Sequence, residues 1–341
     1  MKTSLLIFLI VLITACQNPP DRLTKKQYFI FGTIVEVLVW HNDKQLVDKA
    51  LSDVETELNG MHSQWHAWKP GRLHEVNKAL RNAQSFILTE EEARFIKLTA
   101  ELSDKSLGNF NPAIGQLINL WGFHSDDYPI TEPPPNHGAI LKYLEKMPVM
   151  TDITIENNQI TSKNQQIWLD FGGVAKGYAI DKAINILNNH GIVNAIVNAG
   201  GDLRSIGSKG DKNWQVAIRQ PNSEDVIAVI SVHGDESIFT SGNYERYKEF
   251  KGKRYAHIIN PKTGYGVEEI VSATVITDNA KKADAAATAL IVAGTKDWHK
   301  VVLSMELDQV LMIKADGLCV STEKMMGRLE QSDLKCALLE M

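Results

Sequence analysis

The stretch Ile167-Trp168-Leu169-Asp170-Phe171-Gly172-Gly173-Val174-Ala175-Lys176-Gly177-Tyr178-Ala179-Ile180-Asp181 reads as a strand, a glycine turn and the start of a helix. Such a junction aims backbone N–H groups at an anion. Lys176 falls in the first helical turn, where the helix dipole disfavours a cation, so a phosphate nearby would account for its place. On these residues alone, a plain connection with Lys176 in solvent is the commoner reading. Neither a Walker loop nor the glycine fingerprint of dinucleotide-binding folds is present.

Upstream of this junction, alternation through Ile30, Thr33, Val35, Val37 and Val39 predicts a strand over 28–39, with Gly32 marking a close backbone approach. Apolar residues three and four apart predict a helix over 44–61. A second helix opens at Thr89, which forms a capping-box pair with Glu92, and ends at Gly108. Pro129, Pro133, Pro134 and Pro135 make 125–137 a surface loop, and helix resumes near Ala139. Strands are expected over 153–155, 166–171, 195–198, 214–218 and 226–232, mixed with helices and without a fixed repeat. The expected fold is therefore α+β (mixed α/β): one large body over 28–341 with mixed sheets and packed helices.

Three further segments carry chemistry. Gly200 and Gly201 follow an apolar strand within 198–204, where they serve either a cofactor's close approach or a hairpin turn. Ala283-Asp284-Ala285-Ala286-Ala287-Thr288-Ala289-Leu290 reads as a helix capped by Asp278 and ended by Gly294, which places Asp284 and Thr288 on one face. A carboxylate and a hydroxyl one turn apart are hard oxygen ligands for Mg²⁺, and the alanines let a diphosphate approach; a tightly packed alanine helix reads the same way. Ser241-Gly242-Asn243-Tyr244-Glu245-Arg246 and Tyr255-Ala256-His257-Ile258-Ile259-Asn260-Pro261-Lys262-Thr263-Gly264 read as loop, strand and tight turn. His257 beside that turn is either a general base near neutral pH or an ordinary strand histidine.

The N-terminus fixes the compartment. Lys2, the apolar run 5–13 and Ile13-Thr14-Ala15-Cys16 resemble a secretory signal closed by a bacterial lipobox, with lipid carried on Cys16. The run is too short to span a bilayer as a mature helix. Residues 1–16 are thus a lipoprotein signal and 17–27 a tether, with Pro19 and Pro20 holding it extended. The expected location is the periplasmic face of a bacterial membrane, and Gln17 favours the outer one. A formal charge of -5 without a basic stripe gives no electrostatic case for nucleic acid. Cys319 and Cys336 are permitted to pair in that compartment, or stand as unrelated thiols.

Taken together and in this order, these segments resemble the ApbE family of FAD:protein FMN transferases from Phe31-Gly32-Thr33 to about Leu329. The resemblance extends to Phe110-Asn111-Pro112-Ala113-Ile114-Gly115, to Leu120-Trp121-Gly122-Phe123, and to the Leu-Asp-x-x-Gly-x-Ala-Lys-Gly-Tyr form of the segment at Leu169. It implies that Asp170 and Lys176 contact FAD, the substrate, and that Asp284, Thr288 and a backbone oxygen near Gly173 hold Mg²⁺. It also implies flavin or adenine contacts from Phe31, Trp65, Asn111, Pro112, Ala113 and Ile258, with His257 as the base. The chain departs from the commoner pattern at Asn111, Asn243 and Asn260, where many relatives have Asp.

The activity so implied is transfer of FMN to a Ser or Thr of another protein, with release of AMP. The implied acceptors are membrane redox subunits such as those of sodium-pumping quinone reductases and Rnf complexes. Two rivals are a hydrolase of the same fold that yields FMN and AMP, and a lipoprotein that only binds FAD.

Overall fold

The computed structural model of the protein describes residues 22–221, 223 and 225–339. The signal and Cys16 lie outside the described residues. A nine-stranded sheet organises the molecule, in the order Leu23–Ile30, Thr33–Trp40, Ala195–Ala199, Asp202–Ile206, Glu236–Gly242, Ile270–Thr277, Val310–Lys314, Cys319–Ser321 and Cys336–Leu338. All neighbours pair antiparallel except the last two, which run parallel with Cys319 opposite Cys336. Those two cysteines form a disulfide. Closing a loop of this length contributes about 3 kcal/mol by restricting the unfolded chain.

Period-two alternation decides how the sheet is covered. Val35, Val37 and Val39 turn to one face, where helices Lys44–Gln64, Ala175–Asn189 and Ala280–Ser304 bury them in the main core. Leu38 and Trp40 turn to the other, against a smaller sheet of Leu329–Glu330, Val226–Val232 and Trp214–Arg219. Each of these valines is essentially inaccessible, and burying such a side chain contributes roughly 1.5–3 kcal/mol. The mixed α/β class expected from the sequence is the one observed. Among the described residues no helix is long and apolar enough to cross a membrane.

The expected 28–39 strand is instead a hairpin. Its two-residue turn, Phe31-Gly32, has φ of 59° and 70°, and Ile30 pairs with Thr33 across it. Left-handed backbone at both central positions matches the twist of a tight hairpin, but a bulky Phe there is strained. The first strand begins at Leu23, so 23–27, expected as tether, pair with the second strand.

Three other expectations change. Residues 166–171 form no ladder strand: Trp168 makes an isolated bridge to Ile114, and the Trp168 and Asp170 amides donate to Ala113 and Pro112. Asn279, not Asp278, caps the alanine helix, its side chain accepting from the Lys282 amide. Gly294 breaks that helix at φ 66°, as expected, yet it resumes to Ser304. The Thr89–Glu92 capping box forms as read, and helix resumes at His137 after the proline loop.

The two helices that bear site residues touch at Gly177. A Cβ there would stand 2.4 Å from the Ala280 carbonyl oxygen, so only glycine permits the approach. Val174 supplies no side-chain cap to helix Ala175–Asn189. Instead the Asp284 carboxylate accepts the Gly177 N–H at 2.8 Å from the neighbouring helix. Deeper along the same contact, buried Asp181 is bridged by Arg204 and Lys281, each at 2.5 Å, which ties both helices to the sheet. Removing one partner of such a buried set costs about 3–5 kcal/mol.

Candidate active site

Lys176 does not stand free in solvent, its side chain being 30% exposed. Its ammonium bonds Asp202, whose other oxygen accepts the Thr240 amide at 2.8 Å. Burial opposes the lysine's charge, but Asp202, Asp284 and Glu245 outweigh it and hold the lysine above its usual range. Gly200 and Gly201 make the hairpin turn that returns the chain to Asp202. They therefore serve the bland role first, and through it they deliver the lysine's counterion.

Asp284 is 4% exposed. Burial pushes its carboxyl up to about 7, with Asp202 adding to the rise and Lys176 and the Gly177 N–H opposing it. One turn on, Thr288 Oγ1 lies 3.3 Å from the Ser241 hydroxyl, and a Cβ on Gly173 would stand 3.1 Å from that same Oγ1. The three expected metal donors, Gly173, Asp284 and Thr288, are thus neighbours, and Ser241 joins them. Among the described residues no group of three His, Cys, Asp or Glu side chains is placed to hold a metal. The donor set here is a carboxylate, a hydroxyl and a carbonyl, which suits a hard divalent cation. A buried carboxylate held so far above its usual range is short of positive charge, which such a cation supplies.

Asp170 accepts from the Gly172 amide at 2.8 Å and faces His124 Nε2 at 2.9 Å. Burial works against its charge, but His124 and Gly172 prevail and keep it below the ordinary carboxylate value. His124 is stacked on Trp68 at 4.7 Å and packs on Trp168 at 4.9 Å. The ring row continues through His66, 4.1 Å from Trp68, to His62, which meets Phe31 at 5.7 Å. Phe31 therefore begins an aromatic wall that ends at Asp170. Trp65 stands on a second cluster with Phe95, Phe171 and Tyr178.

Asn111, Pro112, Ala113 and Ile258 are all buried. The Asn111 amide donates to Pro148 at 3.0 Å and its oxygen accepts the Ala113 N–H at 3.0 Å, while the Pro112 carbonyl holds the Asp170 amide. Their place is beneath Asp170. The same geometry explains asparagine here, since a carboxylate cannot donate to Pro148. Asn111→Asp is expected to destabilise the fold by about 1–3 kcal/mol, read as a lower urea midpoint; an unchanged midpoint would contradict this assignment. Asn260 likewise donates to Val292 at 3.3 Å while accepting from Lys262 and Thr263.

His257 lies one residue beyond strand Lys253–Ala256 rather than within it. The Arg246 carbonyl accepts from both the His257 amide, at 3.1 Å, and its Nδ1, at 2.9 Å. A carbonyl only accepts, so Nδ1 carries the hydrogen and Nε2 keeps its lone pair. Burial, then the Arg246 charge, push this imidazole down to about 4. At neutral pH it is an unprotonated base with a fixed tautomer.

A model of the ApbE family matches residues 31–311. The chain belongs to the ApbE family. A Rhodobacter capsulatus protein named FAD:protein FMN transferase is 38% identical over 311 residues, covering 91% of this chain and 59% of that one. The chain thus spans 59% of the length of that ApbE relative. A Klebsiella pneumoniae protein of the same name is 29% identical and is matched over 89% of this chain and 90% of its own length. The crystal structure of the Thermotoga maritima ApbE protein superposes with a TM-score of 0.82 at 28% identity, covering 91% of this chain and all of that one.

Within this ApbE fold, the sequence pointed to Lys176, Asp284, Thr288 and His257, but not to Asp202 as the lysine's partner, nor to His124. Asp202 lay in the quoted 198–204 segment and His124 directly after Phe123. Their pairings bridge 26 and 46 residues, which no local pattern encodes.

Proposed function

We propose that the protein is an Mg²⁺-dependent FAD:protein FMN transferase that joins FMN to a Ser or Thr hydroxyl of an acceptor protein and releases AMP. The observation that carries this reading is a base with a fixed tautomer, His257, in a fold that also gathers Lys176 with the oxygen donors Asp284, Thr288 and Gly173. Its membership of a family whose relatives bear that name supports it.

Mg²⁺ held by Asp284, Thr288 and the Gly173 carbonyl would supply Lewis-acid neutralisation of diphosphate charge. The protein's own residues do the rest. Lys176 adds a fixed positive charge, and Asp170 with Phe31 and Trp65 orients FAD. His257 Nε2 takes the proton of the incoming hydroxyl as that oxygen bonds the FMN-side phosphorus. The bond from this phosphorus to the AMP oxygen breaks, and AMP leaves with that oxygen. The flavin undergoes no redox change.

Release of AMP tests the reading: it should require an acceptor bearing a Thr in a Gly- and Thr-containing motif. Release of FMN and AMP without acceptor would make the protein a hydrolase, and intact FAD would leave only binding.

The acceptors this reading favours are membrane redox subunits of the quinone reductase or Rnf type, met from a lipid anchor at Cys16 on the periplasmic side. The Cys319–Cys336 disulfide supports an oxidising compartment. Cys16→Ser is expected to move the protein from the membrane to the soluble fraction, read by fractionation; retention in the membrane would sink the anchor.

A further inference from the structure

We propose that Arg246 is a catalytic residue of this transfer, its guanidinium binding the non-bridging oxygens of the phosphate under attack. The assignment rests on the transfer reading above.

Arg246 closes the Ser241–Arg246 segment, and its carbonyl fixes the His257 ring. Its side chain reaches back across the hairpin turn, with Nη2 3.5 Å from where a Cβ on Gly32 would stand, and lies 5.7 Å from the Tyr128 ring centre. One residue thus spans the base, the Phe31-Gly32 turn and the 125–137 loop.

The lysine of the site is neutralised, Lys176 by Asp202, and so is Arg204 along the same helix contact, by Asp181 and Asp235. Among the described residues no carboxylate lies within salt-bridge distance of Arg246, although the carboxyl of neighbouring Glu245 feels its charge. Its charge is exposed, held by a ring and a turn, and felt by His257, as are the weaker influences of Lys176 and Asp170. A cation beside a base that must accept a proton opposes that step, unless an anion lies between them. A phosphate there resolves the conflict, and a guanidinium fork matches its oxygens in pairs. Arg246 keeps its protons throughout: the hydroxyl's proton goes to His257 Nε2, the new O–P bond forms, and AMP departs with the bridging oxygen.

The test uses the full chain in detergent, with FAD and acceptor, and compares wild type with Arg246→Ala and Arg246→Lys. The expected result is a fall in kcat of about 10²–10³-fold for Arg246→Ala, with FAD affinity changed only a few-fold, a smaller fall for Lys, and partial recovery of Arg246→Ala by added guanidinium. Lost packing alone would not respond to guanidinium. An Arg246→Ala kcat near wild type, or a fall that neither Lys nor guanidinium relieves, overturns the proposal. Absence of modified acceptor with wild type removes the transfer reading itself, and the assignment with it.

Discussion

Asp284→Asn should abolish turnover while leaving the fold intact. The amide keeps an oxygen for the Gly177 N–H, so the helix contact survives, but the charge that would hold a divalent cation is gone. The expected loss is at least about a thousandfold, on the order of 4 kcal/mol of transition-state stabilisation. Stability should move the other way. Burial pushes the Asp284 carboxyl up to about 7 in the folded protein, so ionising it as pH rises toward 8 weakens the metal-free fold. A neutral side chain removes that penalty, and the variant should melt no lower than wild type in metal-free buffer at pH 8. The same proton competes with Mg²⁺, so wild-type Mg²⁺ affinity should rise with pH up to about 7 and then level. Unchanged turnover in Asp284→Asn would remove the metal assignment.

His257→Gln has the second-largest expected effect. Glutamine can donate to the Arg246 carbonyl but offers no basic nitrogen. Acceptor modification should fall by roughly 10²–10⁴-fold with FAD affinity nearly unchanged. The sign of the pH dependence follows from the lowered pKa: the base stays unprotonated down to about pH 4, so at Mg²⁺ concentrations that keep the Asp284 site filled at every pH, wild-type kcat/KM should hold through pH 5 and decline only near 4. A limb at the ordinary histidine value, or a His257→Gln enzyme of wild-type rate, would mean that another group takes the proton.

The helices and most strands were legible because burial leaves a period. The 44–61 pattern became helix Lys44–Gln64, and the Thr89–Glu92 pair became a capping box, since both signals are local. The Phe31-Gly32 turn was hidden because an aromatic residue stands where turn chemistry prefers Asn or Gly, so the alternation appeared to run on. Residues 166–171 look like a strand because Ile167, Leu169 and Phe171 are buried, yet they pair with 112–115 through one isolated bridge and single bonds rather than a ladder.

At the site, the Asp284–Thr288 pair could be read because helical spacing is fixed. What spacing cannot give is which charges cancel. Lys176 reads as solvated from its own segment, yet it pairs with Asp202, and one N–H of the junction expected to face an anion, that of Gly177, is taken by Asp284. The buried His124 between Trp68 and Trp168 had no periodic signature at all.

The most direct test of the account is the intact mass of an acceptor domain bearing the Gly- and Thr-containing motif, after incubation with FAD, Mg²⁺ and the chain lacking residues 1–16. The account predicts a gain of one FMN joined by a phosphodiester to Ser or Thr, absent when EDTA is present from the start. An unmodified acceptor, whether FAD stays intact or appears as free FMN and AMP, would contradict it.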